Sequence, residues 1–115
     1  MFDEVVIHSL GININGVFLA EYNDLEFGRK VDGIQVAEDK EEELIRIYVG
    51  QQLRPGIYIL MIDFDANLSD SFWGFYKSSW IDENGWKNEM ATTQFSPYWA
   101  RTAWPCYDEP RFKAR

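Results

Sequence analysis

The sequence is short of the residues that carry most enzyme chemistry. It has one histidine, His8, and one cysteine, Cys106, among 115 residues. A single cysteine excludes an internal disulfide and leaves the redox compartment open. A catalytic zinc site needs about three protein ligands and an open position, and no motif here supplies them. No serine has a nearby base that the sequence can identify, so no Ser-His-Asp relay stands out. Basic residues are also scarce, with eleven Lys and Arg against nineteen Asp and Glu and a net charge of −8. That balance argues against nucleic acid, whose phosphates demand neutralisation by Lys and Arg, and it suits solubility. No apolar run reaches membrane-spanning length. Met1-Phe2-Asp3-Glu4 places acids where a leader peptide carries bases, so neither leader nor anchor is expected in these residues. Long amphipathic helical periods, internal repeats and low-complexity tracts are absent as well.

What is present is apolar and aromatic. Hydrophobic residues make up 46% and aromatic residues 17% of the chain, which marks a globular rather than a disordered chain, with room for one modest domain. Val5–Leu10 reads as a short apolar strand. Ile12, Ile14, Val17 and Leu19 continue as one long strand or as two broken near Gly16. Asn23-Asp24 and Phe27-Gly28 are turn signals, and Val31–Ala37 is a weak strand interrupted by Gly33. The charge run Glu38–Glu43 reads as a solvated turn. Leu44, Arg46 and Tyr48 alternate with Ile45, Ile47 and Val49, which gives one β-branched apolar face. Gln51–Pro55 is a connection. Ile57–Phe64 is nearly continuously apolar, as in a strand covered on both faces. Short strands at regular spacing indicate a mostly antiparallel all-β domain.

The chain is most distinctive from Gly74 to Arg115. Trp73–Ile81 and Trp86–Phe95 read as two strands joined at Asp82-Glu83-Asn84-Gly85, where Asn-Gly is a strong hairpin signal. A two-residue loop would set Asp82 opposite Lys87 and Trp80 opposite Glu89, a register that a longer loop would shift. Ser96 suits a helix N-cap and Pro97 the first helical position, so a short helix is expected near 97–103. Pro105 stops it. Cys106–Pro110 is a loop, and a further strand is expected from Phe112 onward.

These residues carry a resemblance. GFYKSSW, followed by MATTQFSPYWARTAWPCYDEPRFKA, resembles the N-terminal domain of zinc aminopeptidases of the aminopeptidase N type, the M1 metallopeptidases. The family's usual wording there is Gly-Phe-Tyr-Arg-Ser, then Ala-Thr-Thr-Gln-Phe-Glu, then Ala-Arg, then Pro-Cys-Phe-Asp-Glu-Pro. Upstream, VVIHSL, LIRIYVG and LRPGIYILMIDFDANLSDSFWGFY are similar more weakly and in register. The resemblance implies saddle- or sandwich-like β-sheets packed against a separate catalytic domain. Residues 1–115 would cover only the later part of the N-terminal domain, leaving it incomplete with an open sheet edge and the isolated chain prone to self-association.

The resemblance also bears on function. The family draws its zinc from a His-Glu-x-x-His helix and a downstream Glu, and carries a Gly-Ala-Met-Glu-Asn segment. None of these is in the sequence, so no residue here is expected to be catalytic or to bind metal, and zinc is a cofactor only of a full-length parent. The implied task is to line the pocket for a peptide N-terminus. Gln94 matches the family's Gln at that pocket. Ser96 stands where the family usually places Glu or Gln to grip the substrate's α-ammonium, so a charge-assisted bond is lost there. Arg101, Cys106 and Asp108 match family positions and are expected to be structural, with Arg101 and Asp108 tying a short helix to the next loop. Cys106 reads as a small buried apolar residue. Against this stands a noncatalytic or degenerate β-domain that binds protein or carbohydrate through its aromatics. The acidic pairs Asp63/Asp65 and Asp108/Glu109 could serve as acid and base on paper, but turn capping and ion pairing explain them more simply. His8 reads as a packed or edge histidine. The compartment of the parent stays open between cell surface and cytoplasm.

Overall fold

A computed structural model describes residues 1–24 and 26–113. Alternation of buried and exposed side chains organises the centre of the fold. In β5 (Leu44–Leu53), Ile45, Ile47 and Val49 are almost wholly buried while the residues between them face outward. The alternation read from sequence is therefore the alternation observed. β5 sits between β1 (Phe2–His8) and β4 (Gln35–Asp39), antiparallel to both.

A second antiparallel sheet places β2 (Asn13–Asn23) between β3 (Glu26–Lys30) and β6 (Tyr58–Asp65). β2 is one strand, with a register irregularity between Ile14 and Gly16 that absorbs the suspected break. The two sheets face each other across two apolar clusters. Leu19, Val31, Val49 and Leu53 form one, with Phe2, Ile34, Tyr58 and Leu60 packed against it. Ile7, Ile45 and Ile47 form the other, with Val5, Ile14, Val17 and Ile62 against them. The rings of Phe2 and Tyr58 meet edge to face at 5.5 Å and join the sheets at one end. Burying each such side chain stabilises the fold by roughly 1.5–3 kcal/mol.

The third sheet is a hairpin of β7 (Gly74–Ile81) and β8 (Lys87–Gln94). Its main neighbour is a single 3-10 turn, Ala100–Thr102, which is the one short helical element among the described residues and lies inside the expected span. Gly74 begins β7 with φ +75°, and a Cβ there would run into Thr102. Glycine is therefore what allows strand and turn to touch. The architecture is all-β: a small two-sheet sandwich with an aromatic hairpin beside it.

Several local expectations are corrected. Phe27 and Gly28 lie inside β3 rather than in a turn. β5 runs on through Gln51 and Gln52 to Leu53. β6 is not covered on both faces: it is an edge strand, with Met61 and Phe64 exposed. The hairpin register is one residue away from the two-residue-loop pairing, with Ile81 opposite Lys87 and Trp80 opposite Asn88. The loop is longer because Asp82 organises it. Its carboxylate accepts the N–H groups of Asn84 and Trp86, and its carbonyl accepts the Gly85 N–H. Ser96 does not cap the helix; the 3-10 turn starts after Trp99 with no side-chain cap, and the Trp99 N–H bonds to the Phe95 carbonyl. Phe112 and Lys113 are not in a strand, and the rest of that expected strand, Ala114-Arg115, lies outside the described residues. The opposite edges of β4 and β6 carry no further strand among the described residues.

Candidate functional site

Arg101 is the centre of a connected, largely buried polar cluster. The 3-10 turn points its side chain inward, where it is buried. Its Nε donates to Asp108 Oδ2 at 3.0 Å, and its own backbone N–H donates to the same oxygen at 3.2 Å. Its Nη1 donates to Glu43 Oε2 at 2.9 Å, and its Nη2 reaches the Asp108 carbonyl at 3.4 Å. The Tyr98 ring lies 5.8 Å from the guanidinium carbon. The planar fork of arginine suits this multiple attachment. Every guanidinium nitrogen is thus engaged by the protein itself, which makes Arg101 a clasp between three chain segments rather than an anion receptor.

His8 closes the same cluster. Its Nδ1 accepts the Asp108 backbone N–H at 3.2 Å, so the proton of the neutral ring sits on Nε2. Its backbone exchanges two hydrogen bonds with Cys106 at 2.8 and 3.0 Å. Cys106 is half-buried. Burial first, and then the negative charge of Asp108, push its thiol above the usual range, partly offset by Arg101. A thiol held protonated is a poor nucleophile. A cleft of about 530 Å³ opens between His8, Glu43, Tyr98, Trp99, Arg101 and Asp108.

Gln94 and Ser96 lie elsewhere, and neither lines that cleft. Gln94 ends β8 opposite Gly74. Phe95 packs against Trp104 with ring centres 5.1 Å apart, and the residues on either side of it, Gln94 and Ser96, are exposed. Among the described residues neither side chain takes a hydrogen-bond partner. The structure therefore brings Arg101, Cys106 and Asp108 together and leaves Gln94 and Ser96 together at the open end of the hairpin.

The remaining acids are held locally. Asn15 and Asn13 each donate to Asp65 at 3.0 Å, Asn15 being the larger influence, and depress its pKa. Glu109 pairs with Arg111 at 2.7 Å. Among the described residues no group of three or more His, Cys, Asp or Glu side chains could hold a metal ion. Sequence reasoning missed Glu43 and His8 as partners of Arg101 and Asp108. Glu43 lay in a charge run that looked solvated, and no local signal points from it to a residue 58 positions away.

The chain matches the Peptidase M1 N-terminal domain family over residues 2–115. It is 35% identical over 111 residues to endoplasmic reticulum aminopeptidase 2 of Bos taurus, which covers 96% of this chain and 12% of that protein. It is 44% identical over 82 residues to endoplasmic reticulum aminopeptidase 1 of Mus musculus, covering 70% of this chain and 9% of that one. Over 57 residues it is 54% identical to membrane alanyl aminopeptidase of Manduca sexta, covering 50% of this chain and 6% of that one. The chain thus spans about an eighth or less of the length of these relatives.

Proposed function

Because the chain belongs to the peptidase M1 N-terminal domain family, we propose that it forms one wall of the substrate pocket of a longer zinc aminopeptidase. In this reading it binds peptide N-termini and performs no bond-breaking step itself. The observation that carries the reading is the open end of β8, where Gln94 and Ser96 stand exposed and uncommitted while Phe95 and Trp104 anchor the backbone beneath them. Gln94 offers both a donor and an acceptor to the first side chain of a peptide. Ser96 offers a hydroxyl near the α-ammonium, where a carboxylate would bind more strongly.

The family implies a catalytic zinc. The donor set of this chain does not fit one, since no suitable cluster exists among its described residues. In the proposal the metal and its activated water belong to another domain of the longer protein, and that domain is the partner of this one. The exposed apolar side chains of the hairpin, including Trp80, Ile81 and Trp86, support a docking role, because exposed apolar surface marks interaction sites. A carbohydrate-binding reading is less well supported, because Trp73 and Trp99 stack on each other at 6.0 Å and spend one face each.

The test is the first-residue preference of an M1 aminopeptidase carrying this domain. Gln94→Ala should change the ranking of kcat/KM among substrates that differ only in their first side chain. An unchanged ranking would remove Gln94 from the pocket.

A further inference from the structure

Asn67 is the one asparagine in the chain followed two residues later by a hydroxyl, in Asn67-Leu68-Ser69. Asn13, Asn15, Asn23, Asn84 and Asn88 are followed at that distance by Asn15, Val17, Leu25, Trp86 and Met90. Asn-x-Ser, with x other than proline, is the acceptor pattern for N-linked glycosylation and belongs in a surface loop. The structure meets that requirement. β6 ends at Asp65 and β7 begins at Gly74, and residues 66–68 between them are irregular and exposed.

Three of the other asparagines have committed side chains. Asn13 and Asn15 each give an amide to Asp65, and Asn88 gives one to Asp82, all at 3.0 Å. Among the described residues the Asn67 amide takes no partner. The loop is fixed just beyond it. The Ser69 N–H donates to the Phe75 carbonyl at 2.9 Å, and the Lys77 N–H donates to the Ser69 carbonyl at 3.1 Å. The Ser69 hydroxyl contacts only its own loop, at the Ser71 hydroxyl and amide. A group added at Asn67 therefore displaces no contact that holds the fold.

We propose that Asn67 carries an N-linked oligosaccharide, transferred from a lipid-diphosphate-linked donor. In the transfer, Asn67 Nδ2 attacks the anomeric carbon of the donor sugar. A carbon–nitrogen bond forms and the bond from that carbon to the diphosphate oxygen breaks. The lipid diphosphate leaves with the electron pair, and the amide gives up one proton to a base of the transferase. Such donors serve proteins in the lumen of the secretory route, so the modification also places this face of the protein there. The sugar would stand beside the outer edge of β7, where Ser69 already bridges to the strand, and would shield that edge from pairing with other chains. The inference rests on the acceptor pattern and the loop alone, independently of the pocket role of Gln94 and Ser96.

The test uses the protein isolated from its own cells. Trypsin releases the peptide Ile47–Lys77, because Arg54 precedes proline, and Asn67 is its only asparagine. Treatment with peptide N-glycosidase in heavy-oxygen water should convert Asn67 to aspartate carrying the heavy isotope. Recovery of that peptide with unmodified Asn67 in every copy would overturn the proposal. In the same cells Ser69→Ala should abolish occupancy, while Ser69→Thr retains it and Ser71→Ala leaves it unchanged. Occupancy that survives Ser69→Ala would also overturn it.

Discussion

Arg101 and Asp108 are joined twice through a single carboxylate oxygen, by the arginine Nε at 3.0 Å and by the arginine backbone N–H at 3.2 Å. Both side chains are close to nine-tenths buried. This pairing folds the 3-10 turn and the following loop into one unit, and Glu43 fastens that unit to the sandwich. Removing one member of a buried pair leaves the other charged and unpaired, which costs about 3 kcal/mol or more. Arg101→Met is therefore expected to lower stability by about that amount in urea unfolding. Arg101→Lys should recover only part of the loss, since lysine keeps the charge without the fork. Glu43→Gln should cost less than either, because Glu43 is more exposed.

Asp82 sets the hairpin loop. The Trp86 N–H, the Asn88 amide and the Asn84 N–H all donate to its carboxylate and hold its pKa below the ordinary value. A group with a depressed folded pKa stabilises above its unfolded value, about 4. That contribution disappears as pH falls through the lower folded value. Amide exchange at Asn84 and Trp86, corrected for its intrinsic pH dependence, should therefore lose protection in that acidic window. Asp82→Ala should show the same loss of protection at neutral pH.

Gly74 and Gly85 both have positive φ, but their surroundings differ. A Cβ at Gly74 meets Thr102, whereas a Cβ at Gly85 meets nothing within 4 Å. Gly85→Ala should cost the backbone term alone, roughly 1–2 kcal/mol. Gly74→Ala should cost more and should loosen the contact between β7 and the 3-10 turn. Comparing the two urea midpoints, and the protection of the Thr102 amide, checks this.

The outer edges of β4 and β6 are open among the described residues, and Ile57, Trp80, Ile81 and Trp86 are exposed. Open edges and exposed apolar side chains both promote association. Residues 1–115 purified alone should self-associate with rising concentration in sedimentation experiments, and should not hydrolyse a neutral amino-acid anilide in the presence of zinc. A sharp, concentration-independent monomer would contradict the first expectation, and turnover would contradict the second.

The sequence was most informative where local pattern and burial coincide. The period of two in Ile45, Ile47 and Val49 reports the buried face directly, because strand geometry sends alternate side chains to opposite faces. The hairpin of β7 and β8 was visible in Asn84-Gly85, but its register was not. The deciding interaction is the Asp82 carboxylate gathering the N–H groups of Asn84 and Trp86, and a loop-length rule does not include it. At Ser96-Pro97 the local capping signal misled, since the chain used a Phe95–Trp99 backbone bond instead. β6 looked buried on both faces because apolar composition does not say how many layers a sheet has. The tie from Arg101 to Glu43 spans 58 residues and is a product of folding alone.

The central claim is that this domain shapes a peptide pocket and that Ser96 weakens its hold on the substrate's ammonium. The most direct measurement is the KM of Ser96→Glu in an M1 aminopeptidase that carries the domain. Restoring an ionic hydrogen bond is worth on the order of 1.5–3 kcal/mol, so KM for peptide substrates should fall roughly tenfold to a hundredfold. The inhibition constant of N-acetylated peptides, which lack the ammonium, should not fall with it. An unchanged KM for free N-termini would contradict the account.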